Sequence, residues 1–343
     1  MGKTNRCQSK RKHHCDDKRK FSFAAIGDTG YSFKMEEELS LLIRNVLNRE
    51  DLKFVVHIGD MQNDPRGLAT IPESSIAVTE AQWIPKRDRL WRLNKPFILT
   101  PGDNDWADTV QPPINNPNPL GTLQAVRNVF YSDTNVPFKF NVVSQPEEFP
   151  QYSAYVENRR WRLCDIVFAT VHTIAGREQN GTTNPNQGVR DESIVRIQAD
   201  IAWLNRAFDV AERKNAKGLV IFSQAVIEWS NPLPGFVEIV NAVTARVKQN
   251  PDLKVLYICG DNHQFNVQKP MRGEPVSGIV GAPVFRQYEN FTAIEVPGAP
   301  RSAIGSVGMT TIAGGTGRVR INVDLDSKDI FNMSLDTHTQ IVN

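Results

Sequence analysis

Residues 21–30 read FSFAAIGDTG, an apolar run that closes on Gly27–Asp28. It reads as a buried strand. The same ending recurs in KFVVHIGD (53–60), PFILTPGD (96–103) and KVLYICGD (254–261), which places Asp28, Asp60, Asp103 and Asp261 at four strand ends. Average residue usage gives on the order of one Gly-Asp pair in a chain this long, with no preference for strand ends. In α/β sheets ligands bind in the crevice outside the carboxyl ends of the strands. Glycine relaxes the backbone there, so the next side chain can turn into that crevice.

Between these strands the apolar periodicity changes to helical. Residues 35–48 carry a stripe at Leu39, Leu42, Ile43 and Val46, and long amphipathic stretches cover 192–214 and 236–249. A further helix over 79–93 is expected to be interrupted at Pro85. WRLCDIVFATVH (161–172) carries a strand, and GLVIFSQ (218–224) is another. From about residue 264 the pattern becomes QFNVQ, FTAIEV, GMTTIA, RVRINVDL and IFNMSL, which alternate like antiparallel strands. The expectation is one α/β domain over 21–343 with an antiparallel C-terminal section.

Four carboxylates converging in one crevice repel one another. Either several are protonated or cations sit among them, and divalent ions convert that repulsion into coordination. Any single Gly-Asp is equally an ordinary turn after a strand. The four together favour a metal site.

The chain has 343 residues, 40% of them hydrophobic and 23% charged, the composition of a globular protein. No apolar run approaches the ~20 residues that span a bilayer. Residues 1–20 show no apolar core of a secretory signal as written, although a mature secreted form would look the same. The net charge of +2 is uneven: residues 1–20 hold eight Lys/Arg against two Asp, and the remainder 32 against 36. The basic segment reads as a solvated, disordered tail, with a nuclear-targeting patch or phosphate-binding arm as alternatives. His13, His14, Cys7 and Cys15 match no standard zinc spacing. Cys164 and Cys259 lie in apolar runs and read as buried thiols. Sequons at Asn180, Asn290 and Asn332 would permit glycosylation in a secreted form.

The blocks GDTG (27–30), GDMQN (59–63), GDND (102–105), VIFSQ (220–224) and GDNH (260–263) resemble, in order and spacing, the five motifs of the calcineurin-like metallophosphoesterases. The likeness is to a divergent, purple-acid-phosphatase-like branch. It implies a four-layer αββα sandwich and two metal ions. It implies a phosphate-ester hydrolase in which a metal-bound hydroxide attacks phosphorus, with Asp60 bridging the ions. Carried over by position, the first metal takes Asp28, Asp60 and His263, with Asn63 where the purple enzymes have Tyr. The second takes Asp60, Asp103 in place of Asn, and Gln224 and Asp261 each in place of His. So oxygen-rich a set favours Mn²⁺, Mg²⁺ or Ca²⁺ over Zn²⁺, and without the Tyr no purple Fe³⁺ centre is expected.

Asn104 stands where the family has its catalytic His. An amide can hydrogen-bond a phosphoryl oxygen but has no proton to give. Asp105 or His172 is the candidate acid in its place, and Trp106 is expected to wall the pocket. Gln224 has the plainer alternative of capping its strand, and His57 that of a packed strand histidine. The partner implied is a phosphate-ester small molecule or phosphorylated substrate, its specificity set by loops 65–80, 107–119 and 178–191. The competing function is a catalytically weak or inactive metal-binding member acting as a scaffold, since the usual His is missing. A nucleic-acid partner has no basic–aromatic stripe to support it.

Overall fold

The computed structural model describes residues 19–63, 76–132, 141–174, 184–229, 232–268, 272–275, 285–298 and 317–336. Residues 1–18 of the basic tail, the GMTTIA stretch, residues 65–75 of loop 65–80, and residues 178–183 of loop 178–191 with the Asn180 sequon fall outside these residues.

Two sheets form the centre. The first holds five strands in the order β14-β13-β1-β2-β3. Here β1 is Lys20–Ile26, β2 Val55–His57, β3 Phe97–Leu99, β13 Arg318–Asp324 and β14 Phe331–Asp336. β1, β2 and β3 run parallel, so the loops after them, which carry Asp28, Asp60 and Asp103, leave the same edge of the sheet. The second sheet has seven strands, β4-β5-β6-β7-β8-β12-β9. Its strands are β4 Val143–Ser144, β5 Arg159–Leu163, β6 Ile166–Thr170, β7 Gly218–Phe222, β8 Lys254–Cys259, β9 Asn266–Gln268 and β12 Phe291–Glu295. β6, β7 and β8 are parallel, and Gln224 and Asp261 follow the ends of β7 and β8. A two-stranded ribbon pairs β10 (Arg272–Pro275) with β11 (Phe285–Gln287).

Three apolar clusters lie between four layers. The sheets meet across Phe23, Phe54, Phe168 and Phe222, with Phe23 stacked on Phe54 at 4.9 Å and edge-on to Phe168 at 5.4 Å. Truncating one such core phenylalanine costs about 3–5 kcal/mol. Helices α1 (Phe33–Leu42), α2 (Glu80–Leu90) and α3 (Pro119–Phe130) cover the outer face of the first sheet through Leu39, Leu42, Trp83 and Val126. A short helix α4 (Gln145–Glu148) precedes α5 (Gln187–Arg213) and α6 (Val237–Gln249), which cover the second sheet through Leu204, Phe208, Ile239 and Val243.

Several sequence expectations are corrected. Pro85 sits inside α2 rather than breaking it, because burial of Trp83 and Leu90 on either side offsets the one lost backbone bond. Residues 161–172 form two strands, not one, turning at Cys164, whose φ of 52° makes the hairpin corner. Cys164 is half-buried and disulfide-bonded rather than a buried thiol, whereas Cys259 is a buried free thiol as expected. In the C-terminal section β9, β13 and β14 pair antiparallel as expected, but β12 runs parallel to β8. Asn290 is no accessible sequon, since its amide is buried against the carbonyls of Val247, Asn250 and Leu253.

Candidate metal centre

The strand-end loops interlock before any side chain is considered. Asp28 N–H donates to Gly59 O at 3.0 Å and Thr29 N–H to Asp60 O at 2.9 Å, which ties the first loop to the second. Gly260 N–H donates to Gln224 O at 2.9 Å and ties the fourth to the fifth. Asp28, Asp60 and Asp261 have φ of 51°, 55° and 76°, and His263 has 64°, all in the left-handed region that L-residues seldom adopt. Strain of this kind concentrates at functional sites. Gly102 is required by contact: a Cβ there would lie 1.9 Å from Asp60 Oδ1.

The loops bring Asp60, Asp103 and Asp261 together, with one carboxylate oxygen of each within 4.8 Å of the others. Gln224 enters the same cluster. Its Nε2 donates to Asp103 Oδ1 at 3.0 Å and to Asp60 Oδ2 and Asp261 Oδ1, each at 3.2 Å. Burial, followed by the charges of Asp103 and Asp28, pushes the Asp60 carboxyl well above its ordinary range.

Asp28 and His263 form the other half, with His263 Nε2 at 3.3 Å from Asp28 Oδ1. Tyr31, which the sequence reading overlooked, joins them. Its phenol donates to Asp28 Oδ1 at 3.3 Å and lies 3.2 Å from His263 Nε2. Burial, with the charges of Asp28, Asp60 and Asp103, raises its pKa well above 10, so it stays a phenol. Tyr31 stands one residue past the GDTG block, and that adjacency was the available signal. Asn104 donates Nδ2–H to the Tyr31 oxygen at 3.3 Å, while its backbone N–H donates to Asp103 and Asp60. Glu295, at the end of β12, was also overlooked. Burial pushes its carboxyl up to about 7, the Gln264 N–H opposing and the charges of Asp28 and Asp261 adding.

The other expected residues lie elsewhere or are otherwise engaged. Asp105 is fully buried and spends its oxygens on three backbone N–H groups, those of Asp60 (3.0 Å), Met61 (2.8 Å) and Gly102 (2.9 Å). Burial lifts its pKa to about 6 against those bonds, and its geometry is that of a brace between two loops. His172 donates Nδ1–H to Glu157 at 2.7 Å and accepts from Trp106 Nε1 at 3.3 Å, so both ring nitrogens are taken. Arg127 clamps the same Glu157 at 2.6 and 3.0 Å. Trp106 is fully buried, packed with Ala107, Leu123, Ile174 and Val189. Asn63 is half-buried, and among the described residues no hydrogen bond joins it to the carboxylates. His57 is a packed strand histidine: its Nδ1 accepts Gly59 N–H at 3.2 Å and Nε2 meets Thr29 Oγ1 at 2.8 Å.

The donor set fits a cation. Gln224 is completely buried, yet its Oε1 has no hydrogen-bond partner, which is costly unless that oxygen has another use. Three carboxylates are ligands of hard ions, and the amide that turns Nε2 toward them here carries its unpartnered oxygen on the same planar group.

The architecture is a four-layer α/β sandwich, two mixed sheets face to face with helices outside. Its likeness is to PhoD, at a TM-score of 0.50 and 12% identity over 93% of this chain and 68% of that one. Lower-scoring are a dimetal phosphatase from Danio rerio (TM-score 0.48, 10% identity, 93% and 99% covered) and GAP50, the anchor in the inner membrane complex of Plasmodium (0.46, 13%, 92% and 88%). At these identities the likeness is one of fold. No family model and no curated protein matches the chain. No helix among the described residues is long and apolar enough to cross a membrane.

Proposed function

We propose that this chain is a metal-dependent phosphate-ester hydrolase whose centre is shared by both sheets. The observation that carries the reading is the convergence of Asp60, Asp103 and Asp261 around the buried, half-satisfied amide of Gln224. Asp60, Asp103, Asp261 and Gln224 would hold one divalent ion, and Asp28, His263 and Asp60 the other, Asp60 being common to both. Mn²⁺, Mg²⁺ or Ca²⁺ suits the first of these better than Zn²⁺, because every donor there is oxygen. Such ions supply charge neutralisation on the phosphoryl oxygens and a nucleophile at neutral pH.

The protein's own groups do the orienting. Asn104 holds one amide hydrogen on Tyr31 and keeps the other for a phosphoryl oxygen of the substrate. Asp105 fixes the loops that carry Asp60 and Asp103. The test is metal content together with turnover: stripped protein reloaded with each cation, assayed on p-nitrophenyl phosphate and its bis-ester, beside Asp60→Asn. Metal-dependent turnover that Asp60→Asn abolishes is the expected result. Turnover indifferent to chelator and to Asp60→Asn would refute it.

A second reading has one specific observation in its favour. Asp105 and His172, the acids that could replace the missing His, are both bound to other protein groups. Tight cation binding without turnover on either ester would make the chain a metal-binding member without catalysis.

A further inference from the structure

Gln224 presents its two amide ends to very different surroundings. Nε2 lies between 3.0 and 3.2 Å from three carboxylates, which share its two hydrogens, and Oε1, fully enclosed, makes no hydrogen bond. Three acceptor oxygens face this end of the amide, and nitrogen is the end that gives them hydrogens, so hydrogen bonds alone close the cluster with Nε2 inward. A cation among the same carboxylates reverses the requirement. It repels the N–H dipoles and attracts the carbonyl oxygen, and a half-turn about the last side-chain bond exchanges the two. The side chain has the reach for both, since nitrogen and oxygen sit at equal length on the same planar group.

Resting on the reading of a metal centre above, we infer that Gln224 is an invertible cap that sets the affinity of the Asp60–Asp103–Asp261 cluster for its cation. With nitrogen inward it satisfies the carboxylates without a cation. With oxygen inward it becomes a ligand. A histidine at this position could not act in the same way, because its ring presents one nitrogen to the cluster in either state. The cap has two consequences of opposite sign. It stabilises the cation-free protein, and it weakens cation binding, because each binding event must first break the charge-assisted hydrogen bonds of both Nε2 hydrogens. A ligand that always held its oxygen inward would repel the carboxylates, and its removal would stabilise the cation-free protein.

The sign of that stability change is therefore the first readout, on the full chain in excess chelator. Gln224→Leu and Gln224→Glu should each lower the melting temperature in chelator by about 3 °C or more. In Mg²⁺ titrations followed by calorimetry, Gln224→Glu should bind at least about tenfold tighter than wild type and Gln224→Leu more weakly. The second readout is the side chain itself, in protein labelled with ¹⁵N at glutamine. The NH₂ pair that disappears in Gln224→Leu should be protected from exchange in chelator, then shift and lose protection on adding Mg²⁺. Mg²⁺ binding that leaves this NH₂ pair unmoved, or variants that melt higher than wild type in chelator, would overturn the inversion while the metal centre stands. If neither wild type nor Gln224→Glu binds Mg²⁺ or Mn²⁺, the metal reading fails and the inversion fails with it.

Discussion

Asn104 donates from Nδ2 to the phenol oxygen of Tyr31 at 3.3 Å, across 73 residues of sequence. The same oxygen donates to Asp28 and lies against His263, so one hydroxyl links the Asn104 amide to the carboxylate and imidazole beside it.

Tyr31→Phe keeps the ring edge-on to His263, where the centroids are 5.3 Å apart, and deletes only the hydroxyl. One hydrogen bond among charged groups is worth about 1.5–3 kcal/mol. Turnover on p-nitrophenyl phosphate should fall by about tenfold or more in kcat, with the melting temperature little changed. An unaltered kcat would reduce Tyr31 to a packing role.

Asp105→Asn separates a brace from an acid. The carboxylate accepts three backbone N–H groups, and an amide has a single oxygen, so at least one N–H must face an NH₂ group. Each buried orphan costs about 1–3 kcal/mol. The variant should lose about 2–4 kcal/mol in urea unfolding and bind fewer cations. Unchanged stability together with loss of one limb of the pH–rate profile would instead make Asp105 the acid.

Gly102→Ala adds a single methyl group that meets Asp60 Oδ1 at 1.9 Å. The loop must move to admit it, at about 1–3 kcal/mol. Cation capacity measured by calorimetry should collapse while the far-ultraviolet circular dichroism stays that of the wild type. Full binding in this variant would show that Asp60 is not a ligand in its present position.

His57 makes stability depend on pH with a definite sign. Burial holds its pKa down at about 4, Asp28 opposing, against an unfolded value near 6.5. The neutral ring is the one the fold accepts, so its contribution is complete above pH 6.5 and is lost as pH falls towards 4. Over that window the wild type should lose about 3 kcal/mol that His57→Gln does not lose. Equal slopes for the two proteins in urea unfolding from pH 7 to 4 would contradict this.

The strand ends were legible because Gly-Asp after an apolar run is a local signal, and all four repeats of it flank the same crevice. The sandwich followed from motif order and from the change between helical and extended periodicity. Where side chains point was not legible. Asp105 reads as a spare carboxylate in GDND, and only the folded loops show the three N–H groups that occupy it. His172 ends a strand beside the crevice, but its rotamer is fixed by Glu157, whose own position depends on Arg127 thirty residues away. The direction of β12 escaped notice because alternation reports a strand's faces and says nothing of its polarity. Tyr31 was missed because an aromatic residue before a helix usually packs, and its hydroxyl matters only once His263 arrives from the far end of the chain.

The pairing of β1 with β13 has a consequence for how the molecule is made. Phe23 lies opposite Ile321, so β1 is completed by a strand made about three hundred residues later. Until residue 324 has emerged, β1 exposes an open edge, the state in which strands capture foreign partners. Contacts between such distant residues also form slowly, because the whole intervening chain must be closed into a loop. Truncation before residue 318 would remove none of the four Gly-Asp turns, yet it should leave a product that precipitates. A ribosome-stalled chain ending before residue 318 should be protease-sensitive across residues 20–26 and become resistant once the final hairpin is released.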